Sequence, residues 1–259
     1  MIRKIKTLFK AIFLIKNFNA YLTDYLKLTN KDRLLYRLRN GVKYVTRPKT
    51  TDRFIINEIW IHKSYTPNGF NIKDKDIVID IGAHIGVFSV FAAHYAKNGK
   101  VYSFEPSNEN FSLLKKNLEI NKLNNLEIFN KAVSNKSGNK IFYISESKNK
   151  GSNSLYPIKN SNKISVPAVS FANFIKSKKL KKINFLKMDC EGGEYKILFN
   201  CPKNVLRSIE KISMEYHNLN EKFNGKTMKS FLESNGFLIK IIPDPNKGII
   251  YAKRANKII

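Results

Sequence analysis

A chain of 259 residues, 42% of them hydrophobic, is long enough for one α/β domain with a sizeable core and an added segment. Its formal charge of +27 raises the question of an anionic partner, either nucleic acid, membrane lipid or a phosphorylated substrate, but the excess is Lys spread through Asn- and Ile-rich sequence and also reads as a solvated basic surface. The two cysteines, Cys190 and Cys201, exclude a disulfide framework and a thiolate metal cluster, and a reducing cytoplasmic setting fits them.

Residues 1–64 read as a basic helical extension. The first 50 residues carry thirteen Lys or Arg against two Asp. Ile2, Ile5, Leu8, Phe9, Ile12 and Phe13 recur at helical spacing, with Arg3, Lys6 and Lys10 on another face. Such a helix is suited to peripheral contact with an anionic membrane through residues 1–16, and equally to packing on the rest of the chain. Lys10 and Lys16 leave only Ala11 to Ile15 uncharged between them, too short for a bilayer span or a signal-peptide core. Helical pattern continues through Tyr21–Leu28 and Lys31–Leu38 and ends at Gly41; Val42–Thr46 reads as a short strand. Asp52 is placed to cap a helix carrying Phe54, Ile55, Ile59 and Trp60, and Tyr65, Pro67, Asn68 and Gly69 form a loop.

The most informative stretch runs from Ile77 to Phe91. Ile77-Val78-Ile79 is a buried-strand run ending in Asp80, then Gly82, Ala83 and Gly86 make a tight turn, and Val87, Val90 and Phe91 resume at helical spacing. A second strand, Lys100–Glu105, ends in a carboxylate twenty-five positions after Asp80, where nucleoside-binding folds place the acid that takes ribose hydroxyls. Dinucleotide enzymes need the tighter G-x-G-x-x-G, whereas this turn reads G-A-H-I-G; the looser turn suits a ligand without a pyrophosphate, such as S-adenosylmethionine.

Asn108 can cap a helix with Phe111, Leu114 and Leu118 on its buried face, followed by strands at Leu126–Phe129 and Lys140–Ile144, the latter suggesting an added hairpin. The Lys-, Asn- and Ser-rich stretch from Ser145 to Lys163 reads as a mobile loop. Ile164–Val169 and a helical run Phe171–Ile175 lead to a strand at Ile183–Met188, whose C-terminal end delivers Asp189, Glu191 and Glu194 into the crevice where open α/β sheets bind ligands. Cys190 reads as a packing residue there, not a nucleophile. After a helix at Pro202–Ile209, strand Lys211–His217 brings Glu215 and His217 to the same edge. A helix face at Met228–Leu232 precedes strands Phe237–Ile242 and Gly248–Lys253, whose short connection makes them antiparallel neighbours.

The order DIGAHIG, SFEPSNENFSLLKKNLEIN, IFNKAVSNKSG, INFLKMDCEGGEYKIL and ISMEYH resembles the FkbM family of class I S-adenosylmethionine-dependent methyltransferases over roughly Tyr65 to Arg254. Its most specific piece, Lys187 to Glu194, is similar to the family's K-x-D-x-E-G-x-E signature; His84 stands where the family usually has Asn, and Gly193 where Ala is common. The resemblance implies a Rossmann-like, mostly parallel seven-stranded α/β sheet with its last strand antiparallel, formed by residues 65–259. It implies a cofactor site of Asp80, Gly82, Ala83, His84, Gly86, Glu105, Ala132 and Asp189, with Tyr65 as a further contact.

The implied reaction is methylation of a hydroxyl on a small molecule, sugar or glycan, the last in lipid-linked form if the amino terminus lies on a membrane. Asp189 is expected to orient the reacting groups and Glu191 or His217 to act as base, with no metal. Two rivals are a nucleic-acid methyltransferase and a non-catalytic membrane-associated scaffold. Against the first, Asp189-Cys190-Glu191 replaces the Asn-Pro-Pro type of turn used on base amino groups, and acids around the cleft repel phosphates. Retention of Glu105 with the whole acidic signature opposes the second.

Overall fold

The computed structural model describes residues 2–145, 153–157 and 161–255. Helices α1 (Ile2–Leu14) and α2 (Phe18–Tyr25) lead into an antiparallel hairpin of β1 (Leu34–Arg37) and β2 (Lys43–Thr46). The helical reading of Lys31–Leu38 is therefore wrong. Leu34, Tyr36 and Leu38 are buried while Arg37 is exposed, a period of two, and the turn at Gly41 returns the chain so that β2 pairs with β1 from Leu34↔Thr46 to Arg37↔Lys43. Helix α3 (Asp52–Ile56) then widens into one π-helical turn over Asn57–Ile61.

These first elements share a core with the large sheet and its helices. Ala11, Ile15, Tyr21, Tyr44 and Trp60 belong to one buried cluster with Val87, Phe91 and Phe185. Tyr44 ties the layers together by donating to Val87 O (3.0 Å) and accepting from Trp60 Nε1 (2.9 Å). Asn117 accepts from Val45 N (2.6 Å) and donates to Ile85 O (2.8 Å), so the hairpin's edge is satisfied by a side chain from the next layer.

The remaining elements, in chain order, are β3 (Ile77–Ile81), α4 (Val87–Tyr95), β4 (Lys100–Phe104), α5 (Asn108–Asn121), β5 (Leu126–Phe129), β6 (Ala132–Ser134), β7 (Gly138–Ser145), β8 (Ser161–Ser170), α6 (Phe171–Ser177), β9 (Phe185–Met188), α7 (Glu194–Phe199), α8 (Lys203–Arg207), β10 (Lys211–His217), α9 (Gly225–Ser234), β11 (Phe237–Ile242) and β12 (Lys247–Arg254). Seven strands form one sheet in the order β11-β12-β10-β9-β3-β4-β5. Its pairings are parallel from β10 through β5, and β12 runs antiparallel to both β10 and β11, the architecture expected from the sequence. Helix α5 is capped by Ser107, one residue before the expected Asn108, because the Ser107 side chain accepts from Asn110 N.

A small sheet, β6-β8-β7, stands beside the large one. The expected hairpin strand is longer than Lys140–Ile144 and pairs with β8 from Gly138↔Ala168 to Ser145↔Ser161. Of the loop expected over Ser145–Lys163, residues 146–152 and 158–160 lie outside the described residues, and its ends are strand instead, Ser145 in β7 pairing with Ser161 in β8. The parallel strands β3, β4, β9 and β10 present their C-terminal ends to one crevice, and that crevice collects the sequence's unusual acids and glycines.

Candidate active site

The turn after β3 is pressed against the end of β9. Gly82 has φ +79°, and a Cβ there would lie 1.7 Å from the carbonyl oxygen of Asp189, so only glycine fits. Gly82 N and Ala83 N both donate to Phe104 O (3.1 and 2.9 Å), fixing the turn to β4. From below, Lys187 Nζ donates to Gly82 O (2.7 Å) and lies 3.1 Å from Asp80 Oδ1, while Asp80 Oδ2 accepts from Ser89 Oγ (2.6 Å).

A cavity opens above this turn, lined by Gly82, Ala83, His84, Glu105, Ala132 and Asp189 among others. Asp80 and Gly86, expected as cofactor contacts, do not line it. Asp80 is fully buried beneath the turn as the counter-ion of Lys187. Gly86 starts α4 with φ +82° where α5 crosses closely, its absent Cβ falling 2.3 Å from Leu114 Cδ1.

Glu105 sits at the cavity wall with both oxygens engaged by backbone: Oε2 accepts from His84 N (2.8 Å) and Oε1 from Ser107 N (2.9 Å). Burial pushes its carboxyl up to about 7, against the lowering effect of these amides. The His84 ring lies 3.3 Å from Arg47 Nη2 and 3.8 Å from Asp52 Oδ1. Burial pushes its pKa down to about 4, so the ring is neutral. A guanidinium can only donate, so Nε2 accepts and the proton resides on Nδ1, a buried atom with no hydrogen-bond partner among the described residues.

Asp52 does not cap α3 as expected. It is fully buried, accepting from Arg47 N (2.8 Å) and pairing with the Arg47 guanidinium (2.9 Å), and this pair holds His84.

On the opposite wall the Tyr65 hydroxyl donates to Asp189 Oδ2 (2.8 Å); burial pushes the phenol's pKa well up, which keeps it a donor. Trp60, by contrast, is a core aromatic, edge-on to Phe91. Glu58, on the π-helical turn, lines the same cavity, and no described residue donates a hydrogen bond to its carboxylate. Burial, then the charges of Asp189 and Glu215, push its carboxyl up to about 7. The sequence reading missed Glu58, although a lone acid inside the largely apolar run from Phe54 to Ile61 was a usable signal.

Glu191 and His217 belong to a neighbouring cluster and do not line the cavity. His217 Nε2 lies 3.1 Å from Glu191 Oε2 and 3.3 Å from Glu215 Oε1, and Nδ1 lies 3.5 Å from Glu194 Oε1. Burial opposes its charge, but the three carboxylates prevail and push its pKa up to about 12. An imidazole that stays protonated cannot take a proton, so His217 does not fit the role of base. Lys247 pairs with Glu215, placing a second cation at the cluster. Glu191, Glu215 and His217 bring potential metal-ligand atoms within 4.8 Å of one another. Cys190 is a half-buried thiol whose pKa is raised well up, first by desolvation and then by Glu194, consistent with packing.

Residues 80–239 match the model of the methyltransferase FkbM domain, more than half of the chain. The chain belongs to the FkbM methyltransferase family. It is an S-adenosylmethionine-dependent methyltransferase. The FkbM match begins at Asp80 and takes in the glycine turn, Glu105 and the acidic signature, but not Arg47, Asp52, Glu58 or Tyr65.

Among curated relatives, Methyltransferase 1 of Beauveria bassiana is 24% identical over 226 residues, covering 78% of this chain and 89% of its own. The 31-O-demethyl-FK506 methyltransferase FkbM of Streptomyces tacrolimicus is 32% identical over 81 residues, 31% of each chain. The crystal structure of an FkbM methyltransferase from Methylobacillus flagellatus KT superposes with a TM-score of 0.52 at 14% identity, over 77% of this chain and 53% of that one, a likeness of fold.

The residues present fit the FkbM donor. The Gly82 turn lines the cavity, Glu105 offers a carboxylate beside the turn, and His84 Nδ1–H is a buried donor with no acceptor among the described residues.

Proposed function

We propose that this enzyme methylates a hydroxyl oxygen of a sugar, glycan or other small molecule. The observation that carries the reading is the position of Glu58, a carboxyl near neutrality on the same cavity as the Gly82 turn, Asp189 and Tyr65. A general base works best when its pKa lies near the working pH. When bound, S-adenosylmethionine supplies an electrophilic methyl group on a sulfonium.

Glu105 would hold the ribose hydroxyls, and the Gly82–Ala83 backbone would lie along the methionine portion, whose carboxylate suits His84 Nδ1–H. Ala132, small and buried, leaves room for the adenine edge. Asp189, held by Tyr65, orients the acceptor, and Glu58 takes the hydroxyl proton as the oxygen attacks. Glu191 keeps His217 charged, and the cluster they form with Glu215 borders the acceptor side.

Oxygen as the acceptor atom is supported by the Streptomyces relative, a 31-O-demethyl-FK506 methyltransferase. The carboxylates of this crevice disfavour a nucleic-acid backbone despite the overall charge of +27. A lipid-linked saccharide is the form of acceptor that a membrane-apposed amino terminus would meet. The test is incubation with methyl-labelled S-adenosylmethionine and a panel of sugars, glycans and lipid-linked saccharides. Label recovered as an alkali-stable methyl ether supports the reading; label confined to nucleic acid, or to nitrogen or carbon, overturns it.

A further inference from the structure

Helix α1 has two apolar faces, and only one of them is used by the fold. Ala11 and Ile15 are fully buried, and Leu8 and Leu14 pack on the same core from partial exposure, where α1 lies against the π-helical turn. On the other side Ile5, Phe9, Ile12 and Phe13 are 59, 61, 39 and 65% exposed. At 100° per residue these four occupy an arc of about 100° facing away from the buried stripe. Phe9 and Phe13 stand edge to face with ring centroids 5.1 Å apart, so the two rings make one patch.

A basic fringe borders the patch along one edge and at the carboxyl end of the helix. Lys6, Lys10 and Lys16 are exposed, and Arg39, also exposed, reaches the end of the helix by donating to Ile12 O (3.3 Å). No acid precedes Asp24 in the sequence. We propose that this outer face of α1 docks on an anionic lipid surface, with the phenyl rings and aliphatic side chains entering the headgroup boundary and the cations meeting lipid phosphates.

Charge complementarity selects this occupant. A second copy of the chain would bring one +27 body against another across a patch bordered by lysines in each copy. A nucleic acid would satisfy the cations but offers this apolar patch no apolar medium. A lipid interface serves both, as expected for a helix with an apolar stripe and flanking lysines that lies in the plane of a membrane. No helix among the described residues is long and apolar enough to cross one. The face lies apart from the cavity, so the inference stands whichever acceptor the enzyme uses.

Co-sedimentation with vesicles tests it, using the full chain with phosphatidylcholine alone and with phosphatidylcholine mixed with phosphatidylglycerol. Binding is expected only to the anionic vesicles. It should weaken by about tenfold or more in Phe9→Ser/Phe13→Ser and by a similar factor in Lys6→Glu/Lys10→Glu. Both pairs are exposed, and unchanged melting with retained S-adenosylhomocysteine binding verifies that the variants fold. Absence of binding to anionic vesicles overturns the proposal. So does binding that the lysine reversals abolish and the phenylalanine changes leave intact, which would mark a general polyanion surface. Self-association that Phe9→Ser/Phe13→Ser removes, seen by analytical ultracentrifugation, would assign the face to a second copy instead.

Discussion

The Tyr65 hydroxyl donates to Asp189 Oδ2 at 2.8 Å, joining residues 124 positions apart. The bond links the loop after the π-helical turn to the end of β9, across the cavity from Glu105. Tyr65→Phe keeps the ring and removes the donor. A hydrogen bond to a charged group contributes about 1.5–3 kcal/mol, so stability in urea should fall within that range and S-adenosylhomocysteine binding should weaken with it. A variant as stable as wild type and binding equally well would mean the pair is incidental.

Lys187 is the strut beneath the turn. It is buried, with Asp80 fully buried beside it and Gly82 O accepting a hydrogen bond from its ammonium. Lys187→Met leaves an uncompensated carboxylate and should cost about 3–5 kcal/mol in chemical denaturation. Lys187→Met with Asp80→Asn should recover part of that loss, because the buried charge goes too. Equal losses in the single and double variants would show that Lys187 acts through Gly82 alone.

The two positive-φ glycines of the turn should not be equivalent. Alanine at Gly82 places its Cβ on the Asp189 backbone, which cannot yield without moving β9; alanine at Gly86 meets a Leu114 methyl group, which can turn aside. Gly86→Ala should cost about 1–3 kcal/mol from backbone strain and overpacking, and should leave cofactor binding measurable. Gly82→Ala should cost more and abolish S-adenosylhomocysteine binding. The reverse ranking would contradict the packing at the turn.

Acidity should act through Glu58 and Glu105. Burial raises both from the usual 4.5 to about 7, so the folded state holds their protons more tightly than the unfolded chain. Their contribution to stability is full below 4.5 and is lost as pH rises through 7. His217, raised from 6.5 to about 12, likewise contributes fully below 6.5 and loses that contribution as pH rises toward 12. His84, lowered from 6.5 to about 4, has the opposite sign: its contribution is present above 6.5 and is lost as pH falls through 4. Urea denaturation of the ligand-free protein across the range from 4.5 to 7 should show a smaller decline in Glu58→Gln/Glu105→Gln than in wild type. Parallel curves would rule out the raised pKa values.

The large sheet was readable because its strands carry their own punctuation. Ile77–Ile81 ends in glycines, Lys211–His217 and Phe237–Ile242 have the bounds that their apolar runs suggest, and the short link before β12 allowed only an antiparallel return. The β1 segment was misread because Leu34, Leu35 and Leu38 also satisfy a helical spacing; the partner strand β2 decided between the two periods.

At the site, Gly82, Glu105 and Asp189 followed from local motifs. Arg47 and Asp52 could not, since their contact with His84 exists only once the amino-terminal elements fold over α4. His217 was placed correctly at its strand end, but its charge depends on Glu191, Glu194 and Glu215 arriving together from two segments. Glu58 is the same lesson reversed: an acid in an apolar stripe is visible in sequence, and the cavity it faces is not.

Calorimetric titration of the purified chain with S-adenosylhomocysteine, beside Glu105→Ala, bears most directly on the assignment of the cavity. Saturable binding of one equivalent per chain is expected, weakened at least about tenfold when the Glu105 carboxylate is removed. A folded wild-type chain that gives no saturable heat, or a Glu105→Ala variant that binds as tightly as wild type, would contradict the placing of the methyl donor between the Gly82 turn and Glu105.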